Sequence, residues 1–428
     1  MKYKYSIYNI SIKECDDNST YIWNSKSDAI VNLENTTLEK LKNNDIEENL
    51  FPEIFSDLLS NGIIVPQESD EFNKIVFRQK QLQYMANNES LNLIISPTLQ
   101  CNYKCVYCFE ENNEKHTTMS ADTINNIIKF INNCIDTNSN LKRLNISWFG
   151  GEPLLAYKDA IIPLAEQIIE ICNNRNILYS SKMTTNGFFL TEDILPTLIG
   201  KLKVSNFQIT FDGTCENYCS RKKTSPQAYE QTKTNIFNLL KYISANNVNA
   251  HLSLRINVDK DNIQDAKKLV EEFKSDPRFI DKNIDFYLGK LFGTCKSLNY
   301  FSLAEFENAD DNFSSWLQQK PKRITSKDVW CNQFTLNSLC IGPLGEIYKC
   351  EHDFGLKNRV IGDICNGLYF NKAMLDFMEQ PIHDKCKTCQ IFPICLGGCP
   401  NARFLNKNHY NCEYTIDNII KSMQQYIQ

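Results

Sequence analysis

The chain has 428 residues, 42% of them hydrophobic, and a net charge of -5. That length asks for more than one hydrophobic core, and the mild acidity gives no electrostatic reason to bind nucleic acid. No run of eighteen apolar residues marks a membrane span, and the start MKYKYSIYNI lacks a signal peptide's apolar stretch, so a cytoplasmic location away from membranes is expected.

In chain order, the first ninety residues read as strand-like KYKYSIYNI and YIWNS, helical TTLEKLKNN and FPEIFSDLLS, then strand-like IIV, with Asn61-Gly62 as a helix C-terminal cap. Strands, helices, then a strand suggest a small winged-helix module over residues 1–85, with PQESDEFN as a linker. From residue 90 to 295 short apolar strands alternate with amphipathic helices, the signature of βα units. The expected strands are LNLIISP, RLNISWF, KMTT, NFQITF, HLSLRINV and IDFYLGKLF. Helices are expected after Ser120, a plausible N-cap, and around 161–171 and 193–202, at Ile236 to Ile243 and at Ala266 to Phe273. Six strands fit an open, partial (β/α)6 barrel, an α/β fold whose strand ends carry the site. A helical connector at 296–325, with Phe306, Phe313, Trp316 and Leu317, leads to a cysteine-rich segment at 326–428.

Eighteen cysteines in a reducing compartment point to metal or redox chemistry rather than disulfides. Twelve lie in two stretches, 101–108 and 331–412, whereas Cys15, Cys134, Cys172, Cys215, Cys219 and Cys295 are scattered and read as bystanders. The five histidines, His116, His251, His352, His383 and His409, read as surface or packing residues. CNYKCVYC sets Cys101, Cys105 and Cys108 directly after a strand, at the mouth of the barrel. Three thiolates on a four-iron cube leave one iron open to a substrate, unlike the closed four-cysteine clusters of electron carriers. A zinc site is the alternative, but zinc prefers four ligands and no partner pair stands nearby.

These motifs resemble the radical S-adenosylmethionine (SAM) superfamily, whose CxxxCxxC the chain carries. The resemblance implies that Cys101, Cys105 and Cys108 hold a [4Fe-4S] cluster whose open iron is chelated by SAM. Reductive cleavage of SAM then gives a 5'-deoxyadenosyl radical that abstracts hydrogen. It also implies roles for Tyr107 near the adenine and for Gly150, Gly151 and Glu152 at the SAM amino group. Thr185 and Asn186 at the third strand end and Asp212 at the fourth look like polar strand ends facing the ligand, although turn chemistry explains Asn186-Gly187 and Asp212-Gly213 almost as well. Arg255 and Asn257 lie on the fifth strand, with Arg255 at the SAM carboxylate, and Leu291 closes the sixth near the adenine.

The terminal pattern resembles a SPASM domain: Cys331, Cys340 and Cys350, then Cys386-x2-Cys389-x5-Cys395-x3-Cys399, then Cys412, with Gly345 at the position its pattern requires. By analogy one auxiliary [4Fe-4S] cluster would use Cys331, Cys340, Cys350 and Cys399, and another Cys386, Cys389, Cys395 and Cys412, three clusters in all. Zinc knuckles are the alternative for the paired cysteines. Were Cys340 not a ligand, the first of these clusters would have an open iron; Cys365 is a bystander or a substitute ligand. Glu351 stands where sulfatase-maturing relatives have an acidic residue proposed as a base, although His352 or Asp353 would serve equally.

The three-part layout resembles maturases of ribosomally made peptides, including those that form cysteine thioethers, in which a first module of the RRE kind captures a leader peptide by strand addition. The resemblance implies a precursor peptide with a leader as partner and a flavodoxin or ferredoxin as reductant. An anaerobic sulfatase maturase, generating formylglycine, shares the core and the tail but leaves the first ninety residues unexplained. A non-catalytic iron-sulfur electron carrier has no use for an open iron beside an amine-binding carboxylate.

Overall fold

The computed structural model describes residues 2–43, 46–85, 88–110, 117–279, 284–291, 298–319, 324–405, 412 and 414–427. Cys295, His116 and His409 lie outside the described residues. The first part of the chain holds β1 (Tyr3–Tyr5), β2 (Asn9–Glu14), β3 (Ser19–Asn24), β4 (Ile30–Glu34), α1 (Asn35–Lys42), α2 (Phe55–Ser60), β5 (Ile64–Pro66) and α3 (Glu71–Gln83). β2, β3 and β4 form an antiparallel sheet, while β5 pairs with β1. Gly62, at φ 72°, turns the chain out of α2 as its Asn-Gly signal requires. Of the stretch expected as a linker, residues 67–70 are irregular, whereas Glu71–Asn73 already belong to α3: Asp70 caps the helix by accepting from the Asn73 amide at 3.0 Å, and the burial of Ile75, Gln79 and Gln83 extends it despite its polar composition.

The barrel follows with β6 (Ser90–Ile95), α4 (Ala121–Thr137), β7 (Arg143–Trp148), α5 (Ile162–Asn174), β8 (Leu178–Thr185), β9 (Val204–Thr210), α6 (Cys215–Lys222), α7 (Pro226–Ala245), β10 (His251–Val258), α8 (Ile263–Ser275) and β11 (Asp285–Lys290). Ser120 accepts from the Thr123 amide at 3.1 Å and caps α4, which buries Ile124, Ile127 and Ile131. The helix expected at 193–202 is a short 3-10 turn at Glu192–Ile194 and a wide turn at Pro196–Lys201; Pro196 has no amide to continue a ladder. α9 (Leu303–Trp316) forms the expected connector helix.

The tail contains β12 (Ser338–Ile341), β13 (Glu346–Tyr348), β14 (Gly362–Asp363), β15 (Gly367–Leu368), α10 (Lys372–Met378), α11 (Phe392–Cys395), α12 (Pro400–Leu405) and α13 (Ile416–Tyr426). The large sheet runs β11-β10-β9-β8-β7-β6-β12-β13-β14-β15, so β12 adds a seventh parallel strand beside β6, with Cys340 opposite Ile94. The parallel strands mostly alternate buried with half-buried or exposed residues, and the buried set, such as Ile95, Trp148, Met183, Ile209 and Leu254, packs into the core of the unit.

Contacts divide the chain into two compact units, neither continuous in sequence. One comprises 86–302 and 336–377 and contains the large sheet; the other comprises 1–85, 303–335 and 378–428. Within the latter, successive residues of β3 face opposite ways. Ile22 packs with Leu38, Leu41, Phe55 and Leu58, and Trp23 with Ile391, Ile394, Ile419 and Met423. Tyr8 and Ile75 likewise share a core with Cys386, Phe392 and Leu396. The N-terminal sheet is therefore half of the core beneath the last cysteines. No helix among the described residues is long and apolar enough to cross a membrane. Trp23→Ala is expected to cost about 3–5 kcal/mol and to loosen the 386–399 segment along with the sheet. Chemical denaturation, with hydrogen exchange over residues 386–399, checks both.

Candidate functional site

β6 ends at Ile95 and the chain enters a loop without regular structure that carries the three thiols. Its shape is imposed by neighbouring strand ends. The amides of Gly151 and Glu152, after β7, donate to the carbonyls of Thr98 (3.3 Å) and Gln100 (2.8 Å). A Cβ on Gly151 would lie 2.3 Å from the Gln100 carbonyl oxygen, and one on Gly150 2.6 Å from that of Thr98, so only glycines allow this approach. On the other side, Lys104 and Val106 donate their amides to the carbonyls of Lys222 (3.2 Å) and Arg221 (2.9 Å), at the end of α6. The Tyr103 amide lies 3.4 Å from Cys101 Sγ, and Asn186 Nδ2 bonds Asn102 Oδ1 at 2.7 Å and stands 3.9 Å from the same sulfur.

Glu152 is fully buried, and its carboxylate accepts from Leu154 N (3.1 Å), Thr185 Oγ1 (2.7 Å) and Asn186 N (2.7 Å). Burial pushes its pKa up, against the opposing pull of these donors. The carboxylate thus ties the loop after β7 to the end of β8. Asp212, at the end of β9, is the second hub. Its Oδ1 accepts from Asn257 N at 3.0 Å; its Oδ2 accepts from the Tyr107 hydroxyl and lies 3.6 Å from Lys222 Nζ. Asp212 and Lys222 are both buried. Burial alone would lower the lysine's pKa, but Asp212, Tyr107 and Cys105 outweigh it and hold the ammonium charged. Arg221 beside it pairs with buried Asp259 at 2.9 Å.

On β10 and β11, Arg255 Nε donates to Asn257 Oδ1 at 2.8 Å, and a Cβ on Gly289 would come within 2.4 Å of that Nε. Gly289 therefore keeps the space that the arginine occupies. Leu291 is buried just beyond β11. The sequence-identified residues of the barrel thus gather at the C-terminal strand ends. Lys222, Arg221, Asp259 and Asn102 join them without having been singled out from sequence; the Arg221-Lys222 pair shortly after Asp212-Gly213 was the available signal.

In the barrel unit, Cys340 lies on β12 and Cys350 follows β13, and the Cys340 thiol acts on Cys350, whose pKa burial raises. Cys365 is exposed. Glu351 Oε2 is 3.8 Å from Cys350 Sγ. Asp353 is buried and paired with Arg359 at 3.0 Å; burial lifts its pKa to about 6. His352 stacks on Phe109 at 4.1 Å between ring centroids. Of the three side chains expected to serve equally as a base, Asp353 is therefore committed to an internal ion pair. In the other unit, Cys386, Cys389, Cys395 and Cys412 act on one another electrostatically, and burial pushes Cys386 to about 11 and Cys395 to about 12. Cys331 and Cys399 lie in that unit too.

Among the described residues no three His, Cys, Asp or Glu side chains converge as a single ion requires. Thiolates on a cube sit on separate irons and stand further apart than ligands of one zinc. The donor set fits a cluster on other grounds: three thiols on one loop, amide donors at Cys101, and a buried ammonium acting on Cys105. A cluster loaded on the buried thiols of the tail would have to displace their protons.

The sequence profile described as the Radical SAM superfamily matches residues 95–273. The chain is 25% identical over 363 residues to a cysteine-type anaerobic sulfatase-maturating enzyme of Clostridium novyi, covering 73% of this chain and 88% of that one. It is 23% identical over 449 residues to the radical SAM cyclopropyl synthase TigE of Paramaledivibacter caminithermalis, covering 93% and 89%. Among solved structures, Streptococcus suis SuiB bound to the precursor peptide SuiA superposes with a TM-score of 0.53 and 16% identity, over 98% of this chain and 100% of that one.

Removing one partner of the buried pair should be costly: Lys222→Met is expected to destabilise the metal-free chain by about 3–5 kcal/mol. Adding Asp212→Asn should restore part of the loss, a non-additivity that urea denaturation of the four proteins measures. Gly151→Ala, which drives a methyl into the Gln100 carbonyl, is expected to lower iron retention, read by iron analysis after anaerobic reconstitution.

Proposed function

We propose, for a chain that carries a radical SAM domain and is an enzyme of that superfamily, that the substrate is a ribosomally made precursor peptide and the product an internal crosslink, a cysteine thioether. The observation that carries the reading is the thiol loop of Cys101, Cys105 and Cys108, clamped at the strand ends beside Glu152 and Asn186. In this reading the loop holds a [4Fe-4S] cluster with SAM on it. The tail holds two more clusters, on Cys331, Cys340, Cys350 and Cys399 and on Cys386, Cys389, Cys395 and Cys412.

Forming a thioether from a thiol and a C–H bond removes two hydrogens from the peptide. One leaves as a hydrogen atom from carbon, the other as a proton from sulfur together with an electron. When bound, SAM and the clusters supply the acceptor for the hydrogen atom and the acceptor for the electron. The chain's own residues hold the parts in register. Arg255, seated over Gly289, offers a guanidinium to a carboxylate. Gly150 and Gly151 let backbone groups come close to the ligand, and the Tyr107 hydroxyl is fixed by Asp212. Glu351, beside Cys350, is the proton acceptor in this reading, since Asp353 is held by Arg359. The electrons for SAM cleavage come from a flavodoxin or ferredoxin.

Two features favour a peptide over a sulfatase as substrate. The structural similarity to SuiB, solved with its precursor peptide, covers 98% of this chain, and by sequence TigE covers 93% of it against 73% for the C. novyi sulfatase-maturating enzyme. A groove of about 630 Å³ in the first unit is lined by Ile64, Val65, Lys74, Phe77 and Arg78. Among the described residues β5 pairs only with β1, leaving its other edge for a leader strand.

The test is to inspect the coding sequences adjoining the gene for a short cysteine-bearing peptide and to run anaerobic turnover with a synthetic peptide of that sequence. The expected product is two hydrogens lighter, with a thiol that no longer alkylates. An unmodified peptide, with oxidation of a sulfatase-derived cysteine peptide to the formylglycine aldehyde, would contradict it.

A further inference from the structure

Arg403 extends from α12, whose first turn is anchored by the Arg403 amide on the Cys399 carbonyl at 3.0 Å. Two of its three guanidinium nitrogens, Nε and Nη1, are shut off from solvent and have no hydrogen-bond partner among the described residues, while the residue as a whole is half-buried. The group lies against the Cys395 to Cys399 segment, for a Cβ on Gly397 would come 3.2 Å from Nη1, and the Phe334 ring covers it with its centroid 5.8 Å from the guanidinium carbon. Among the described residues, the ionisable groups whose charge acts on Arg403 are the thiols of Cys386, Cys399 and Cys395, with no carboxylate.

A guanidinium keeps its proton in proteins, so this is a permanent charge taken out of water with two donors unused. Such a group is strongly unfavourable unless an anion meets it. Thiols are neutral when protonated and cannot do so. Four thiolates around a four-iron core carry net negative charge, and their sulfurs accept hydrogen bonds.

We propose that Arg403 is the counter-charge of the auxiliary cluster on Cys386, Cys389, Cys395 and Cys412, donating Nε–H and Nη1–H to its sulfurs and raising its reduction potential. This rests on the cluster assignment above. The consequence is functional: each reduction adds an electron to an already anionic group, and a fixed cation beside it favours the reduced state. The arginine thereby makes this cluster a ready acceptor for the electron that peptide oxidation releases. Cys399, assigned to the other auxiliary cluster, also acts on Arg403.

The experiment is a redox titration of the reconstituted full-length chain, followed by electron paramagnetic resonance, comparing wild type with Arg403→Gln and Arg403→Lys. Arg403→Gln is expected to lower one auxiliary midpoint by a tenfold or greater fall in the equilibrium constant for reduction, 59 mV for a one-electron couple. The cluster at Cys101, Cys105 and Cys108 should keep its potential, and Arg403→Lys should recover part of the shift. In the metal-free chain the sign reverses: Arg403→Gln should raise the melting temperature, because it removes an unpaired buried charge. A guanidinium that merely packs on Phe334 would give unchanged potentials and a lower melting temperature in the metal-free variant, and that result overturns the proposal. If Arg403→Gln does not load iron, the lysine variant and the metal-free melt decide. A wild-type chain that holds only the first cluster would instead overturn the cluster assignment, before the arginine is altered.

Discussion

The thiol loop after β6 has no hydrogen-bond ladder of its own, and everything the site does depends on how other elements hold it. Backbone amides after β7 grip it from one side, and two carbonyls at the end of α6 from the other. Those carbonyls are in place because Lys222 and Arg221 send their side chains inward to Asp212 and Asp259. A buried ion pair contributes little net stability when intact but is expensive to break. Here it fixes α6 relative to β9 and β10, and so fixes the backbone that receives Lys104 and Val106. Gly151 makes the opposite contribution: by having no side chain it lets two strand-end segments touch.

The barrel was legible because most of its strands are short apolar or alternating runs, β8 (LYSSKMTT) being the polar exception, and most of its helices carry an apolar stripe. α4 is the clearest case, with Ser120 at its cap and isoleucines at helical spacing. The Cys, Gly-Gly-Glu and Asp positions were legible as motifs. α6 was not, since CENYCSRK has no apolar stripe and its placement is decided by ion pairs with residues distant in sequence. α3 was hidden by a polar start that reads as a linker. β12 follows from no local signal: its pairing with β6 joins residues some 245 positions apart by number, as in Ser338 opposite Asn92.

The division of the chain was the least legible feature. Sequence order suggests a winged-helix-like module over residues 1–85, and Ile22 and Trp23 on opposite faces of β3 bury against different partners, one of them the segment around Ile391 and Ile394. The region proposed to recognise a leader and the region proposed to hold a cluster thus share one hydrophobic core. A packed core transmits strain, so the two are mechanically linked without any dedicated signalling element.

The central claim is that Cys101, Cys105 and Cys108 hold a cluster that cleaves SAM while the remaining clusters do not. The most direct measurement is iron content together with 5'-deoxyadenosine formation under dithionite, in wild type and in the variant with these three cysteines changed to alanine. The account predicts about twelve irons in wild type and about eight in the variant, at four per cluster, with deoxyadenosine formed by wild type alone. A variant that still forms deoxyadenosine, or a wild type that binds zinc in place of iron and leaves SAM intact, would contradict it.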